Sequence, residues 1–304
     1  MRHPLPDGAT VELTEVPGGR FRMGSVAFYP EEAPVHEREV GDLLVATMPV
    51  TVAQFRAFVD ATGHVTTAER PADPDHYPGA TPEELAPASL VFTPPDHPVP
   101  LDDVRAWWSL VPGAQWRHPQ GEGSSSVDDH PVTHVSHEDA AAYAAWAGLA
   151  LPAEDEWEHA ARGGLDGATY AWGEEPDRHR RANTWHGAFP HANDLTDGWA
   201  RTSPVGSFPA NGFGVYDATG NVWEWTDSSW TPDHTGTATG RGDVHACCGP
   251  DTGSTQRAMV IKGGSHLCAP SYCLRYRPAA RQLQTADGST SHLGFRCVLR
   301  PPYG

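Results

Sequence analysis

Residues 136–164 read SHEDAAAYAAWAGLALPAEDEWEHAARGG and carry the helical signals that decide the fold class. A first predicted helix begins at Ser136, whose side chain is a good N-cap, and Gly148 closes it. Pro152 lies in the first turn of a second predicted helix, which runs to Arg162 before a Gly-Gly pair. Two helices in succession, with no predicted strand between them, do not build a βαβ unit.

The sequence on either side of this segment indicates the same fold class. Upstream, Thr51-Val52-Ala53-Gln54 is a capping box that opens a helix ended by Gly63. In residues 9–24, polar and apolar residues alternate on the way to Pro17-Gly18-Gly19. This is a strand–turn–strand pattern. Downstream of residue 164 the chain reads as short strands and turns. Helices therefore precede strands, and we predict an α+β fold rather than a doubly wound α/β fold.

The composition predicts a compact domain with many loops. The 304 residues include 31 Gly, 29 Pro and 11 Trp, so irregular backbone is abundant but large apolar side chains are available to bury it. Residues 70–130, rich in Pro, Asp and Ser, are predicted to form long surface loops around Trp107-Trp108 and Trp116. We therefore expect a single loop-rich domain with low regular secondary structure.

Charge and hydropathy exclude several classes of partner. The chain has 21 Lys and Arg against 39 Asp and Glu, a net charge of −18, which argues against binding to a nucleic-acid backbone. No apolar run approaches the length of a membrane helix, so no membrane partner is expected. The start, Met1-Arg2-His3-Pro4, has no apolar h-region and hence no visible Sec signal. Strong acidity favours a cationic partner such as an Arg-bearing peptide.

Five cysteines are too few for a disulfide scaffold in a chain of this length. Their odd number, together with the missing signal, predicts a reducing, cytoplasmic location. Cys247 and Cys248 are adjacent and are interpreted as loop thiols. The chain has no GxGxxG after a strand, no GxxxxGK[ST], no GxSxG and no HExxH, so nucleotide cofactors and the common hydrolase sites are not indicated.

The residues with the clearest chemical potential are Cys268 and Cys273, five positions apart. On a regular strand this odd offset would place them on opposite faces, but Pro270 breaks the strand and lets a loop turn both sulfurs inward. Two thiolates do not make a structural zinc site, whereas they suit copper(I), a soft ion of low coordination number. A disulfide, or two unrelated thiols, remains an alternative at this point.

The segment KGGSHLCAPSYCLRYRPAAR (262–281) resembles the active-site region of the formylglycine-generating enzymes, the sulfatase-modifying family. Further stretches resemble the same family in the same order: PGGRFRMGS (17–25), QWRHPQG (115–121), DHPVTHVSHEDAAAYAAWAG (129–148), LPAEDEWEHAARGG (151–164), ANTWHGAFP (182–190), NGFGVYDATGNVWEW (211–225) and HLGFRC (292–297). The resemblance therefore covers nearly the whole chain. It implies one sulfatase-modifying-factor domain over residues 1–304, of bacterial type, with a C-type-lectin-like fold.

The resemblance implies an oxidase. Its family converts the cysteine of a Cys-x-Pro-x-Arg motif, in an unfolded or nascent sulfatase, to Cα-formylglycine with dioxygen and a thiol reductant. By correspondence of residues, Cys268 and Cys273 become the Cu(I) ligands, and Ser265 and Tyr272 line the oxygen pocket. The absence of a flavin or nicotinamide motif agrees with this, because a redox metal must then activate dioxygen.

Two Ca²⁺ sites are also implied by the resemblance. One would use Asn183 and Asp197 with the carbonyls of Thr184 and Trp199; the other would use Asp217 and Glu224 with the carbonyls of Gly220 and Val222. Carboxylates mixed with loop carbonyls are the donors that Ca²⁺ prefers. The alternative is that these carboxylates cap turns.

Two other functions remain open at this point. A sulfoxide-synthase-like non-haem iron enzyme of the same superfamily would carry an extra N-terminal helical domain, for which the sequence offers no room before residue 9. A non-catalytic lectin-like binding module would not need Cys268 and Cys273 together after Gly263-Gly264-Ser265. For the oxidase, the candidate carboxylates that would bind the substrate Arg are Glu69, Asp102 and Asp103.

Overall fold

The computed structural model of the chain describes residues 1–176, 180–236 and 254–301. Its α-helices within these ranges are α1 (Val52–Thr62), α2 (His137–Trp146) and α3 (Glu154–Arg162). The predicted caps of the first two are confirmed: the side chains of Thr51 and Ser136 accept hydrogen bonds from the third backbone N–H of each helix. Gly63 takes the left-handed conformation (φ 70°) that ends α1.

The predicted start of the third helix was two residues early. Pro152 precedes the N-cap residue Ala153, and α3 begins at Glu154. The Glu156 carboxylate accepts a hydrogen bond of 2.7 Å from the backbone N–H of Ala153, so the helix is capped from inside its first turn. Pro152 therefore lies just before the helix and not in its first turn.

The strands form two four-stranded sheets and two hairpins within the described residues. The first sheet has the order β1-β2-β5-β12, the second has the order β10-β9-β8-β11, and β3 pairs with β4 and β6 with β7. The strands are β1 (Arg2–Pro4), β2 (Thr10–Val16), β3 (Gly19–Met23), β4 (His36–Val40), β5 (Leu43–Ala46), β6 (Ala88–Phe92), β7 (Trp108–Pro112), β8 (Trp223–Ser229), β9 (Ala258–Lys262), β10 (Arg281–Thr285), β11 (Leu293–Gly294) and β12 (Val298–Leu299).

The α+β class is confirmed, but the expected order of helices before strands is wrong. Five strands precede α1, and β5 pairs with β12 near the other end of the chain. The strand–turn–strand pattern of residues 9–24 is present, yet β2 pairs with β1 and β5, and β3 pairs with β4. Residues 70–130, predicted as loops, contain the β6–β7 hairpin. Pairing between distant segments leaves no local signal, because strand partners are chosen by tertiary packing.

The second sheet positions the segment that carries the cysteines. β9 lies between β8 and β10, and the chain leaves it at Lys262 to enter the loop of residues 263–280 before returning as β10. β11 runs parallel to β8, with Leu293 opposite Trp223. The loop between β9 and β10, which we call the cysteine loop, is thus fixed at both ends by adjacent strands.

Three clusters of buried side chains hold the loops together. The largest surrounds Phe55 and Tyr143 and includes both Cys268 and Cys273. Another is aromatic and contains Trp107, with Tyr272 packed against it. None of the helices among the described residues has the length and apolarity needed to cross a membrane.

Candidate functional site

Two glycines shape the entrance of the cysteine loop. Gly263 and Gly264 follow β9 with φ angles of 97° and 69°, in the left-handed region that disfavours other residues. A Cβ atom on Gly264 would lie 2.7 Å from the carbonyl oxygen of Arg275, on the returning arm of the loop. The glycine pair therefore permits the two arms to approach closely, and this brings the residues between them into one compact turn.

Cys268 and Cys273 lie side by side, as the sequence predicts. The backbone N–H of Cys268 donates to the Ser265 carbonyl (2.9 Å) and that of Cys273 donates to the Ala269 carbonyl (2.7 Å), so two successive turns reverse the chain. The two Sγ atoms are 3.3 Å apart, longer than the roughly 2 Å of a disulfide bond. Each residue is 1% exposed, while Pro270 between them is exposed. The sulfurs thus lie just beneath a solvent-exposed loop tip.

Ser265 and Tyr272, the other two predicted site residues, both lie in this loop. The backbone N–H of Ser265 donates to the Cys268 Sγ at 3.4 Å, and its own side chain is fully buried. Tyr272 is half-buried and stacks on Phe189, with ring centroids 4.5 Å apart and planes 7° from parallel. Trp107 also packs against it edge to face, with ring centroids 5.7 Å apart. Aromatic packing therefore fixes the ring beside Cys273.

A segment that the sequence analysis missed supports the loop from the other side. The Tyr29 hydroxyl accepts a hydrogen bond of 3.0 Å from the backbone N–H of Leu274. Arg275 lies 3.7 Å over the Tyr29 ring, donates to the Glu31 carboxylate at 2.6 Å and places a guanidinium nitrogen 4.0 Å from the Cys273 Sγ. Burial raises the pKa of Tyr29 to about 12, and the neighbouring Cys273 contributes to the rise.

A second ion pair anchors the same segment. Glu32 is fully buried and is held by the Arg277 guanidinium through two hydrogen bonds. The signal that could have revealed this was the pair of arginines after Cys273, because a buried guanidinium requires a carboxylate partner and the PEEA stretch at residues 30–33 supplies two.

The donor set at the cysteines fits a soft ion of low coordination number. Both donors are thiols, and among the described residues no group of three or more His, Cys, Asp or Glu side chains is placed to hold a metal ion. A structural zinc site needs about four ligands and hard cations need oxygen donors, whereas Cu(I) is well matched to paired thiolates.

The first set of predicted calcium ligands lies together and contains an unsatisfied buried oxygen. Asn183 is 1% exposed, its Nδ2 donates to the Arg201 carbonyl (2.8 Å), and its Oδ1 has no hydrogen-bond partner. The Asp197 carboxylate accepts from the backbone N–H groups of Thr184 (3.0 Å) and Trp199 (3.1 Å). A buried amide oxygen without a partner, on the residue next to one that bonds a carboxylate, fits an oxygen-seeking cation.

The second set is organised by an arginine. Arg296 donates to both oxygens of Glu224 at 2.6 Å, and the Trp157 Nε1–H donates to one of them at 2.7 Å. Asp217 accepts a hydrogen bond of 2.6 Å from the backbone N–H of Gly206. Burial, together with the charge of Glu224, raises the pKa of Asp217 to about 6. Asp217 therefore fits a cation, while much of the Glu224 charge is already balanced by Arg296.

Gly220 and Val222 link the two sets. The backbone N–H of Asn221, between them, donates to the Asn183 carbonyl at 2.9 Å. A Cβ atom on Gly220 would lie 2.5 Å from that carbonyl oxygen, so glycine is required for the close approach. The two predicted sites therefore share a backbone contact.

Two of the carboxylates proposed for the substrate Arg already have arginine partners. Glu69 is paired with Arg117 at 3.0 Å, and Asp103 is paired with Arg105 at 2.9 Å, while Asp102 is exposed. A substrate guanidinium would have to displace Arg117 from Glu69 or Arg105 from Asp103.

The remaining cysteines are separate from the cysteine loop or lie outside the described residues. Cys297 is a buried thiol in the core beside Tyr143, and burial raises its pKa. Cys247 and Cys248 lie outside the residues that the structure describes.

Comparisons with known proteins identify relatives over almost the whole chain. Residues 4–301 match the family model of the sulfatase-modifying factor enzyme 1-like domain. The chain is 54% identical to a formylglycine-generating enzyme of Mycobacterium tuberculosis, covering 96% of this chain and 99% of that protein. It is 45% identical to a formylglycine-generating enzyme of Thermomonospora curvata, covering 95% of this chain and 93% of that protein. A bovine relative is named inactive C-alpha-formylglycine-generating enzyme 2. It is 36% identical, covering 98% of this chain and 92% of that protein.

Solved structures share the fold. PvdO from Pseudomonas aeruginosa superposes with a TM-score of 0.65, covering 98% of this chain and 97% of that one, at 23% identity. At that identity the likeness shows the fold alone. The sequence relatives and the family model establish more: the chain belongs to the sulfatase-modifying factor family, that of the formylglycine-generating enzymes.

Proposed function

We propose that this protein is a copper-dependent oxidase that converts the cysteine of a Cys-x-Pro-x-Arg motif in an unfolded or nascent sulfatase to Cα-formylglycine. The observation that carries the proposal is the pair of buried sulfurs, Cys268 and Cys273, 3.3 Å apart beneath an exposed loop tip. Pro270 and Ser271, between the two cysteines, are exposed, so we propose that the substrate thiol approaches the pair from this side of the loop.

The proposed reaction consumes dioxygen and two reducing equivalents. The substrate side chain loses its sulfur and two hydrogens and gains one oxygen. The sulfur leaves as hydrogen sulfide, and the second oxygen atom leaves as water when a thiol reductant supplies two electrons and two protons. When bound at Cys268 and Cys273, Cu(I) would supply the one-electron chemistry that lets triplet dioxygen react with a thiol.

The residues around the pair have roles that follow from their positions. Arg275, 4.0 Å from the Cys273 Sγ, provides positive charge next to a site that gathers thiolates. Tyr272 and its aromatic neighbours make the wall of the site apolar, which excludes water from the reacting atoms. Ser265 contributes a backbone N–H that donates to the Cys268 Sγ and a buried hydroxyl.

Calcium at both predicted sites is part of the proposal. The unpartnered Oδ1 of Asn183 supports the first site, and the buried carboxylate of Asp217, whose pKa is raised by burial and by the charge of Glu224, supports the second. Neither site touches the cysteine pair in the contacts described above. Their expected contribution is to hold irregular backbone together.

A cytoplasmic location is proposed on the same chemistry. Cys268 and Cys273 must remain reduced to act, and a reducing compartment keeps them so. The buried thiol of Cys297 agrees with such a compartment.

The proposal is tested by mass spectrometry of a synthetic Cys-x-Pro-x-Arg peptide incubated with the protein, Cu(I), a thiol reductant and air. We expect the cysteine to lose one sulfur and two hydrogens and to gain one oxygen, and an aldehyde-specific hydrazide should then label the product. A matched peptide with Ser in place of Cys should remain unchanged. Because the family includes a relative named inactive, an unchanged cysteine peptide with copper-loaded, folded protein would refute the activity.

A further inference from the structure

The Ser265 hydroxyl is held by two partners, one of them outside the cysteine loop. Its Oγ accepts a hydrogen bond of 3.2 Å from the backbone N–H of Leu267 and lies 2.9 Å from the Nδ1 of His292. Ser265 is fully buried and His292 is 1% exposed, so bulk water does not compete for this contact. A hydrogen bond between two buried groups is stronger than the same contact in water.

His292 is held in place independently of the cysteine loop. It lies just before β11, and its carbonyl accepts a hydrogen bond of 2.8 Å from the backbone N–H of Trp223 on β8. Its ring packs edge to face against Trp108, with centroids 4.9 Å apart. The imidazole is therefore held for Ser265 by the β8–β11 side of the same sheet and by Trp108 of the β6–β7 hairpin.

This arrangement limits what the Ser265 hydroxyl can offer to a small molecule beside Cys268. A hydroxyl has one proton and two lone pairs, and one lone pair already accepts from Leu267. If His292 donates from Nδ1, the Ser265 proton is available to the site; if Nδ1 accepts, the Ser265 proton is used and a lone pair faces the site. Either way, His292 decides which hydrogen-bonding group Ser265 presents.

We propose that His292 is a positioning residue that acts through Ser265, fixing the direction and the hydrogen-bonding role of its hydroxyl in the oxygen pocket. The inference rests on the proposed function, in which Ser265 lines that pocket. It concerns a residue that is neither a copper ligand nor a calcium ligand in that proposal.

The experiment measures initial rates of peptide oxidation for the copper-loaded wild type and for four variants: His292→Leu, His292→Asn, Ser265→Ala and the double variant Ser265→Ala with His292→Leu. Leu approximates the volume of the imidazole without a polar atom, whereas an Asn side chain can place an oxygen or nitrogen near the position of Nδ1. His159→Leu is the matched control. His159 is a buried imidazole on α3, and its Nε2 lies 2.8 Å from the Pro17 carbonyl oxygen.

We expect His292→Leu to lower kcat by about five- to tenfold, the size of one lost hydrogen bond, with little change in KM for the peptide. His292→Asn should recover most of that loss, and His159→Leu should retain the wild-type kcat. In the Ser265→Ala background, His292→Leu should have no further effect beyond about twofold, because the contact through which it acts is already gone. A cooperative thermal unfolding transition, measured for each variant, serves as the check that the variant is folded.

Each result decides between distinct failures. A wild type that leaves the peptide unchanged overturns the proposed function, and the inference with it. A wild-type kcat in His292→Leu, or full multiplicative effects of the two substitutions in the double variant, overturns the positioning role while leaving the oxidase intact. Loss of activity in His292→Leu that His292→Asn does not recover would assign the imidazole a bulk packing role and likewise overturn the inference.

Discussion

At the scale of single residues, the three described cysteines have the same burial but different surroundings. Cys268, Cys273 and Cys297 are each 1% exposed. The first two face each other across a loop whose tip is exposed, and Arg275 lies near one of them. Cys297 is packed in the core, where burial and the nearby charge of Glu224 raise its pKa. Reactivity is therefore expected at the pair and not at the third thiol.

Substituting either member of the pair should abolish turnover. Cys268→Ala or Cys273→Ala should remove high-affinity Cu(I) binding, because one thiolate remains where two are needed. Cu(I) titration against a competing chelator and the peptide assay measure the two effects. The matched control is Cys297→Ala, which should keep substantial activity although the cavity lowers the free energy of unfolding by about 1–2 kcal/mol. Full activity in either pair variant would contradict the copper assignment.

At the scale of elements, the cysteine loop depends on contacts from outside its own sheet. The segment Tyr29–Glu32 holds the returning arm through the Tyr29 hydroxyl, the Glu31–Arg275 pair and the Glu32–Arg277 pair. On the other side, Phe189 and Trp107 pack on Tyr272. A loop with little regular hydrogen bonding is thus kept rigid by side chains of two distant segments.

Removing one of these supports should loosen the loop without unfolding the protein. Tyr29→Phe deletes the acceptor for the Leu274 N–H and should lower kcat several-fold, while the free energy of unfolding falls by about 1 kcal/mol. The control is Tyr77→Phe, which deletes a 2.7 Å hydrogen bond to Asp287 on other elements. Peptide kinetics and urea unfolding of both variants test the idea, and equal losses of kcat in the two would contradict it.

At the scale of the whole molecule, irregular backbone is stabilised by buried polar groups as well as by apolar packing. Ion pairs join distant segments: Arg281 with Glu154, Lys262 with Glu158, and Arg296 with Glu224. In a fold with short strands and few helices, such contacts replace the hydrogen bonds that regular structure would supply. Stability should therefore respond to bound cations and to pH.

Calcium removal should lower the melting temperature. Ions that bind only the folded state stabilise it by about 2.7 kcal/mol at a hundredfold excess over Kd. We expect EGTA in the presence of Mg²⁺ to lower Tm, and added Ca²⁺ to restore it, as measured by scanning calorimetry. Asn183→Ala and Asp217→Asn should each remove part of the effect. An unchanged Tm for calcium-loaded protein in EGTA would argue against both sites.

Acid should destabilise the fold through its buried histidines. Burial lowers the pKa of His134 from 6.5 to about 4, and its ring bonds Ser89 at 2.7 Å and the Pro119 carbonyl at 3.0 Å. Between these pH values the unfolded chain binds a proton that the folded chain does not, so the free energy of unfolding falls as pH drops from 6.5 towards 4. One such group contributes at most about 3 kcal/mol.

Urea unfolding between pH 7 and 4 measures this dependence. His134 has a positive φ of 59°, a conformation that Asn tolerates, so His134→Asn should fold and should show a shallower fall of stability with acid. If the pH dependence of His134→Asn is the same as that of the wild type, the acid sensitivity has another source.

Local sequence alone determined those features that arise from interactions between residues a few positions apart. The capping boxes at Thr51 and Ser136, the left-handed end at Gly63 and the turn around Pro270 each depend on side chains bonding or sterically limiting the adjacent backbone. The spacing of Cys268 and Cys273 left a disulfide, two unrelated thiols and a metal-binding pair open, and only the resemblance to a family favoured the last of these. The predicted caps and the helix end at Gly63 are confirmed because few alternative conformations exist over so short a range.

Tertiary structure alone decided which distant segments meet. We did not predict from the sequence that β5 pairs with β12, that Glu31 and Glu32 hold the arginines after Cys273, or that His292 reaches Ser265. Each of these contacts joins parts of the chain separated by loops, and a loop of given length can close on many partners at nearly the same entropic cost. Complementary burial and charge, available only in the folded molecule, select one partner among them.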